Sequence, residues 1–296
     1  MYILGDWGTS RLRLWCCENE SVVATSRGAG IGALSVSPQA ELRGAIAALA
    51  QDRPDAGITL CGMAGARGGL REAAYCPTPV SSQAWVEAAA AFDFDGIPTT
   101  IAAGVVARSA RGVDIMRGEE TQVFGALALD PSLAIGTHTF LLPGTHSKWV
   151  EVSGGCITAL TTFPSGELFA LLVASSLVAI GEEGSDADES AGFAQGSAEA
   201  ASGSGLLASL FPVRTAQVLE NRSRQWARGY LSGLLLGHEL LEAGLADAPS
   251  QTLNLIGAPE LAERYATLLA KYGHRARLFD AEAATLAGLE MLNGRT

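Results

Sequence analysis

Several turns of this 296-residue chain carry side chains able to grip an anion or move a proton. Gly5-Asp6-Trp7-Gly8-Thr9-Ser10-Arg11 sets a carboxylate, two hydroxyls and a guanidinium between two short apolar runs. Glycine lets backbone approach a ligand closely, and successive N–H groups form anion-binding nests. Gly8, Thr9, Ser10 and Arg11 therefore read as phosphate holders. Asp6 reads as a carboxylate holding a divalent cation through water, because Mg²⁺ gives up its water reluctantly. An ordinary Asp/Gly hairpin explains this turn equally well. The functional reading gains from a second turn of the same layout, Pro143-Gly144-Thr145-His146-Ser147-Lys148, also between apolar runs. There Gly144, Thr145 and Ser147 offer a second phosphate cradle and Lys148 adds charge. His146 is a phosphate contact or a plain turn residue.

Gly62-Met63-Ala64-Gly65-Ala66-Arg67-Gly68-Gly69 has four glycines in eight residues. Such a loop folds around a small ligand, and Arg67 can grip a carboxylate through two parallel hydrogen bonds. Gly62, Met63 and Gly65 supply close backbone approach; a flexible surface connection is the plain alternative. Further on, Asp114-Ile-Met-Arg117-Gly118-Glu119-Glu120 opens a helix whose first turn favours anions. Two adjacent carboxylates after Arg-Gly suit a general base, Glu119 or Glu120, with Asp114 third. Glu167, after Ser165-Gly166, is a ligand contact or only a first-turn carboxylate. Gly257-Ala258, between a strand and a helix, would seat an adenosine against open backbone, although such turns are common.

Alternating and continuous apolar runs predict the elements that place these groups. Strands are expected over 2–4, 11–15, 22–25, 58–61, 99–105, 139–142, 149–152, 253–256 and 275–279. Helices are expected over 38–50 (capped by Ser37), 85–92, 223–241, 260–271 and 281–292, and onward from 119 and from a Ser165 cap. Gly229, Gly233 and Gly237 recur at every fourth position of the long helix, which permits close packing. The acidic, Gly/Ser/Ala-rich stretch 182–204 reads as a mobile surface segment around one short helix. Gly28-Ala29-Gly30-Ile31-Gly32-Ala33 nominally fits a dinucleotide fingerprint, but helix-forming sequence begins only near Pro38 and no suitably placed acid follows. No GxxxxGK[ST] loop occurs.

A hydrophobic content of 48% argues for a packed chain, and its length for two lobes. The net charge of −11 argues against broad nucleic-acid binding. No apolar run reaches membrane-crossing length, and the N-terminus has no basic, signal-type opening. Cys16, Cys17, Cys61, Cys76 and Cys156 are odd in number and lack metal-site spacing, so they read as reduced thiols of a cytoplasmic protein.

Taken together, Gly5-Asp6-Trp7-Gly8-Thr9, Gly62 to Arg67, Met116-Arg117-Gly118-Glu119-Glu120-Thr121-Gln122, Leu142-Pro143-Gly144-Thr145-His146-Ser147-Lys148-Trp149 and Ser165-Gly166-Glu167-Leu168-Phe169-Ala170 resemble, in order, the 2-dehydro-3-deoxygalactonokinase family. The third and fourth runs are the most specific. The resemblance implies an α/β, two-lobed fold of the actin, hexokinase and RNase H type, with lobes near 1–117 and 118–296 and a nucleotide cleft between them. It implies ATP and Mg²⁺ as cofactors and phosphorylation of the 6-hydroxyl of 2-dehydro-3-deoxy-D-galactonate, a small-molecule sugar acid, in galactonate breakdown. It carries Arg67 and Arg117 to the substrate carboxylate. The departure is Ala64 and Ala66, where relatives often read Gly-Met-Ile-Gly-Ser-Arg. Homo-oligomerisation stays open. So do two other classes: another sugar-acid kinase or phosphohydrolase of the superfamily, and a non-catalytic nucleotide-gated module.

Overall fold

The computed structural model describes residues 1–19, 21–49, 57–174 and 181–294. β1 (Tyr2–Trp7), β2 (Arg11–Glu18) and β3 (Ser21–Ala29) form an antiparallel meander, followed by α1 (Pro38–Leu49). The Ser37 hydroxyl accepts the Ala40 N–H at 3.2 Å, as an N-cap does. Position 50, the expected end of this helix, lies outside the described residues. β4 (Ile58–Gly62) joins β1 in parallel. β5 (Tyr75–Pro77), β6 (Val80–Ser81), α2 (Ser82–Glu87), β7 (Ala90–Phe94), β8 (Ile97–Ile101), β9 (Gly104–Ser109), β10 (Gly112–Met116) and α3 (Glu119–Leu129) come next. Then follow β11 (Thr137–Leu142), β12 (Ser147–Ser153), β13 (Cys156–Phe163), α4 (Ser165–Ala174), α5 (Asp186–Ala201), α6 (Leu206–Leu210), α7 (Pro212–Glu220) and α8 (Arg224–Glu242). β14 (Thr252–Ile256), α9 (Pro259–Lys271), β15 (Arg275–Phe279) and α10 (Ala281–Asn293) close the chain. The sheets run β3-β2-β1-β4-β8-β7, β10-β9-β5 and β15-β14-β11-β12-β13-β6.

Three sequence expectations need correction. The helix over 85–92 is the short α2, and the chain then enters β7. Asp95-Gly96, both at positive φ, turns β7 antiparallel onto β8; an Asp-Gly pair between apolar runs is a strong hairpin signal. The strand over 99–105 is two strands, β8 and β9, which lie in different sheets. The stretch 182–204 holds the 16-residue α5, begun by a Ser185/Asp188 capping box. A Cβ at Gly192 or Gly196 would collide with α8 carbonyls, and one at Gly229 or Gly233 with α5 carbonyls. The glycines predicted to permit close packing do so, against the segment whose composition looked mobile.

The chain divides into two compact units, Met1–Phe140 with Val150–Thr161 and Phe279–Thr296, and Leu141–Trp149 with Thr162–Leu278. In the first, Ile3, Trp7, Leu12, Leu14, Leu42, Leu60 and Ile101 form the core. The second has one core around Leu141, Leu240, Leu255 and Tyr265, and another around Trp226, Tyr230 and Leu234. No described helix is long and apolar enough to cross a membrane. All five cysteines are free thiols.

Candidate active site

In the first unit the β1–β2 register sets Asp6 opposite Arg13, and they pair at 2.7 Å through Asp6 Oδ2. The other oxygen faces the Cys61 thiol at 3.6 Å. The turn between the strands is closed by Gly8 N–H to the Arg11 carbonyl at 2.8 Å, and Thr9, Ser10 and Arg11 are exposed at its tip. The guanidinium held by Asp6 thus belongs to Arg13, which the sequence reading did not single out. Cross-strand pairing was the signal for it. Gly28 and Ala29 end β3, only a single 3₁₀ turn over Ile31–Ala33 follows, and α1 begins at Pro38, so the strand-to-α-helix turn of a dinucleotide fingerprint is absent.

β4 ends at Gly62, φ +73°, where a Cβ would stand 2.6 Å from the Trp7 carbonyl. Gly118, φ +111°, lies so close that its Cβ would be 3.2 Å from Gly62 Cα. Two glycines in a backbone region that L side chains rarely adopt therefore bring the start of α3 against the end of β4. Glu120 is fully buried there, and the Gly118 N–H donates to both its oxygens at 2.8 Å. Burial, then the charge of Glu119, pushes the Glu120 carboxyl up to about 7. Burial, then Asp6 and Glu120, pushes the Cys61 thiol well up. Asp6, Cys61 and Glu120 therefore share one electrostatic neighbourhood. Glu119 is only half-buried and its Oε2 accepts the Arg117 N–H at 3.1 Å. Asp114 lies on β10 in the three-stranded sheet, accepting the Ile115 N–H at 2.8 Å.

The glycine-rich loop starts with a single 3₁₀ turn, Met63–Gly65, and presents Arg67 to solvent. Arg117 is engaged with the frame of this loop. It donates to the Ala73 carbonyl at 2.8 Å and to Tyr75 Oη at 3.2 Å, with its guanidinium carbon 4.1 Å from the Tyr75 ring centre. Its Nη1 is buried against Gly65 without a hydrogen-bond partner among the described residues.

In the second unit, the turn 143–146 exposes Thr145 and His146, while Ser147 and Lys148 are buried at the start of β12. Lys148 Nζ donates to the Thr162 hydroxyl at 2.9 Å. Glu167 meets His146 Nε2 at 2.8 Å, and its N–H donates to the Thr145 carbonyl at 2.9 Å. Helix α4 reaches the turn because residue 166 is glycine; a Cβ there would collide with the Gly144 carbonyl and lie 2.9 Å from Thr145 Cα. Ser165 does not cap α4 as expected; its hydroxyl donates to Glu239. Gly257 comes near Pro143, and Ala258 precedes α9.

Next to this turn is a cavity of about 290 Å³, lined among others by Ser147, Ser165, Phe169, Arg228, Glu260 and Arg264. Arg228 lies over the Phe169 ring at 5.6 Å, and Arg264 donates to Ser232 at 2.9 Å and pairs with Glu189. None of these α8 and α9 residues was singled out in the sequence, although Arg228 and Ser232 share a helix face at i, i+4. Behind the cavity Glu239, on α8, collects hydrogen bonds from Trp149, Tyr265 and Ser165. A lone carboxylate inside Leu-Leu-Gly-His-Glu-Leu-Leu was the signal for it.

The donor set fits a Mg²⁺ held chiefly by a ligand's phosphates and water. Asp6 offers one hard carboxylate beside the Gly8–Arg11 turn, whose tip is exposed, and an ion that keeps its water and takes its other ligands from phosphate needs no more than that from a protein. Among the described residues no group of three His, Cys, Asp or Glu side chains could hold a metal unaided.

The family model described as 2-keto-3-deoxy-galactonokinase matches residues 6–292. A protein of Rhizobium meliloti named probable 2-dehydro-3-deoxygalactonokinase is 34% identical over 97% of this chain and 95% of its own. The 2-dehydro-3-deoxygalactonokinase of Escherichia coli is 29% identical, covering 98% and 97%. A solved structure from Sinorhizobium meliloti, provisionally described as the same kinase, superposes with a TM-score of 0.85 over 99% of this chain and 95% of that one, at 34% identity.

Proposed function

The chain belongs to the 2-keto-3-deoxy-galactonokinase family, and on that premise we propose that it transfers the terminal phosphate of ATP to the 6-hydroxyl of 2-dehydro-3-deoxy-D-galactonate. Its fold is the α/β type of the actin-like sugar kinases. The observation that carries the chemistry is the start of α3, where Gly62 and Gly118 bring two glutamates into the surroundings of Asp6 and beside the loop that presents Arg67.

Glu119 is the base. A base must touch the hydroxyl whose proton it takes, and Glu119 is partly accessible whereas Glu120 is fully enclosed and bonded to Gly118. As the 6-oxygen bonds to the γ-phosphorus and the bond to the ADP oxygen breaks, the hydroxyl proton passes to Glu119. Arg67 takes the substrate carboxylate, with Gly62, Met63 and Gly65 approaching the sugar acid. Arg117 and Tyr75 brace that loop.

Asp6 would hold Mg²⁺ through water, and the ion neutralises phosphate charge when bound. Gly8, Thr9, Ser10 and Arg11 meet phosphate in the first unit. In the second, the 290 Å³ cavity seats the nucleoside, with Gly257 and Ala258 near it and Gly144, Thr145, His146 and Lys148 toward the phosphates. Loose phosphoryl-transfer transition states need such positioning and charge neutralisation more than covalent chemistry.

The test is Mg²⁺-dependent ADP release with the galactonate-derived acid, its gluconate epimer and no sugar. Stimulation by the first alone supports the proposal in full; equal stimulation by both broadens the substrate. Nucleotide binding with no stimulation by either would remove the assigned reaction.

A further inference from the structure

A buried carboxylate governs two of the hydroxyls that line the cavity of the second unit. Glu239 is 2% exposed. Its Oε1 accepts the Trp149 indole N–H and the Tyr265 phenol, each at 2.8 Å, and its Oε2 accepts the Ser165 hydroxyl. An ionised carboxylate only accepts, and a phenol or a serine has a single hydroxyl hydrogen to give. Tyr265 gives its hydrogen to Glu239. In the 2.9 Å bond between Ser147 and Tyr265, Ser147 must therefore be the donor.

Both serine hydrogens are thus spent inside the protein, and both serines line the cavity. What Ser147 and Ser165 retain for a ligand is oxygen lone pairs. A phosphate oxygen is itself an acceptor and gains nothing from them. A ligand hydroxyl does, and two acceptors lining one cavity suit the two hydroxyls of a ribose.

We propose that Glu239 is a positioning residue that turns Ser147 and Ser165 into acceptors toward the cavity, so that the cavity selects a ribonucleotide through its ribose hydroxyls. This rests on the reading that the cavity seats the nucleoside. It moves Ser147 from the phosphate role expected of its turn to a ribose role, and leaves phosphate to the backbone and hydroxyl of the exposed residues before it.

The experiment is calorimetric binding of ATP, 2′-deoxy-ATP, 3′-deoxy-ATP and inorganic tripolyphosphate to the whole protein. Wild type should bind ATP about tenfold more tightly than at least one deoxy analogue, the effect of one lost hydrogen bond. Glu239→Gln places an amide donor in the network. It should bring that ratio to within about twofold of unity while leaving tripolyphosphate binding unchanged. Tyr265→Phe frees the Ser147 hydrogen and should lower the same ratio; it decides alone if Glu239→Gln does not fold. A wild-type ratio near one, or variants that weaken every nucleotide equally at an unchanged ratio, would overturn the proposal. Wild-type protein that fails to bind ATP at all would instead overturn the assignment of the cavity to a nucleoside.

Discussion

The indole nitrogen of Trp149 donates to the carboxylate of Glu239 at 2.8 Å, joining β12 to α8 across 90 residues of sequence. The bond ends in a carboxylate whose pKa burial raises above the ordinary value, against the partial opposing pull of the donors Ser165, Trp149 and Tyr265. Trp149→Phe keeps most of the ring volume and removes one donor. It should cost about 1–3 kcal/mol, the penalty of under-satisfying a buried acceptor. Urea unfolding measures this, and an unchanged midpoint would show the bond to be neutral.

Glu119→Gln should fold like wild type and lower kcat by about 10²–10⁴-fold, the usual worth of a general base. The KM for ATP should change little. Steady-state kinetics with the sugar acid decide it, and an unchanged kcat removes Glu119 from the role.

Glu120 predicts a pH effect on stability. Its carboxyl sits at about 7 in the folded protein against an ordinary 4.5. Between those values the unfolded chain is ionised while the folded one keeps the proton, so stability falls as pH rises from about 4.5 to about 7 and is level above that. The difference is of the order of 3 kcal/mol. Glu120→Gln cannot titrate and should flatten that part of the curve. Thermal melts of both proteins at pH 5, 6 and 8 test this; parallel curves would count against it.

Gly166→Ala should disturb the second unit's turn specifically, because the new methyl would collide with the Gly144 carbonyl. Since alanine favours helix by about 1 kcal/mol over glycine, a loss of stability together with a raised KM for ATP would be the mark of this contact. Greater stability at unchanged KM would contradict it.

Arg67→Met should raise the KM for the sugar acid by about 10–100-fold, as expected for losing a charged hydrogen bond, with the KM for ATP unchanged. Arg67 is exposed and outside the core, so the melting temperature should stay within about two degrees. A KM that does not move would assign the carboxylate to another group.

Local chemistry explains what could be read in the chain alone. The hairpin around Gly8, the turn at Gly144 and the helices of Pro38, Glu119, Arg224 and Ala281 follow from short-range periodicity, caps and turn residues. The residues around 85–105 mislead because Asp95-Gly96 competes with an apolar run that also suits a helix. Residues 182–204 looked mobile because glycine, serine and alanine signal looseness until a partner helix of matching small residues is known.

By itself, then, the sequence determined the chemical inventory: which carboxylates, hydroxyls, guanidiniums and glycines stand at turns and helix starts, and in what order. Only the tertiary structure decided their states. It paired Asp6 with Arg13, separated the accessible Glu119 from the enclosed Glu120, committed Arg117 to Ala73 and Tyr75, and gathered Arg228 and Arg264 around one cavity with Glu239 bonded behind its lining. The reason is physical. Propensities and turn signals act within a few residues, whereas burial, charge neighbours and the direction of a hydroxyl hydrogen depend on atoms that the chain brings together from a hundred residues away.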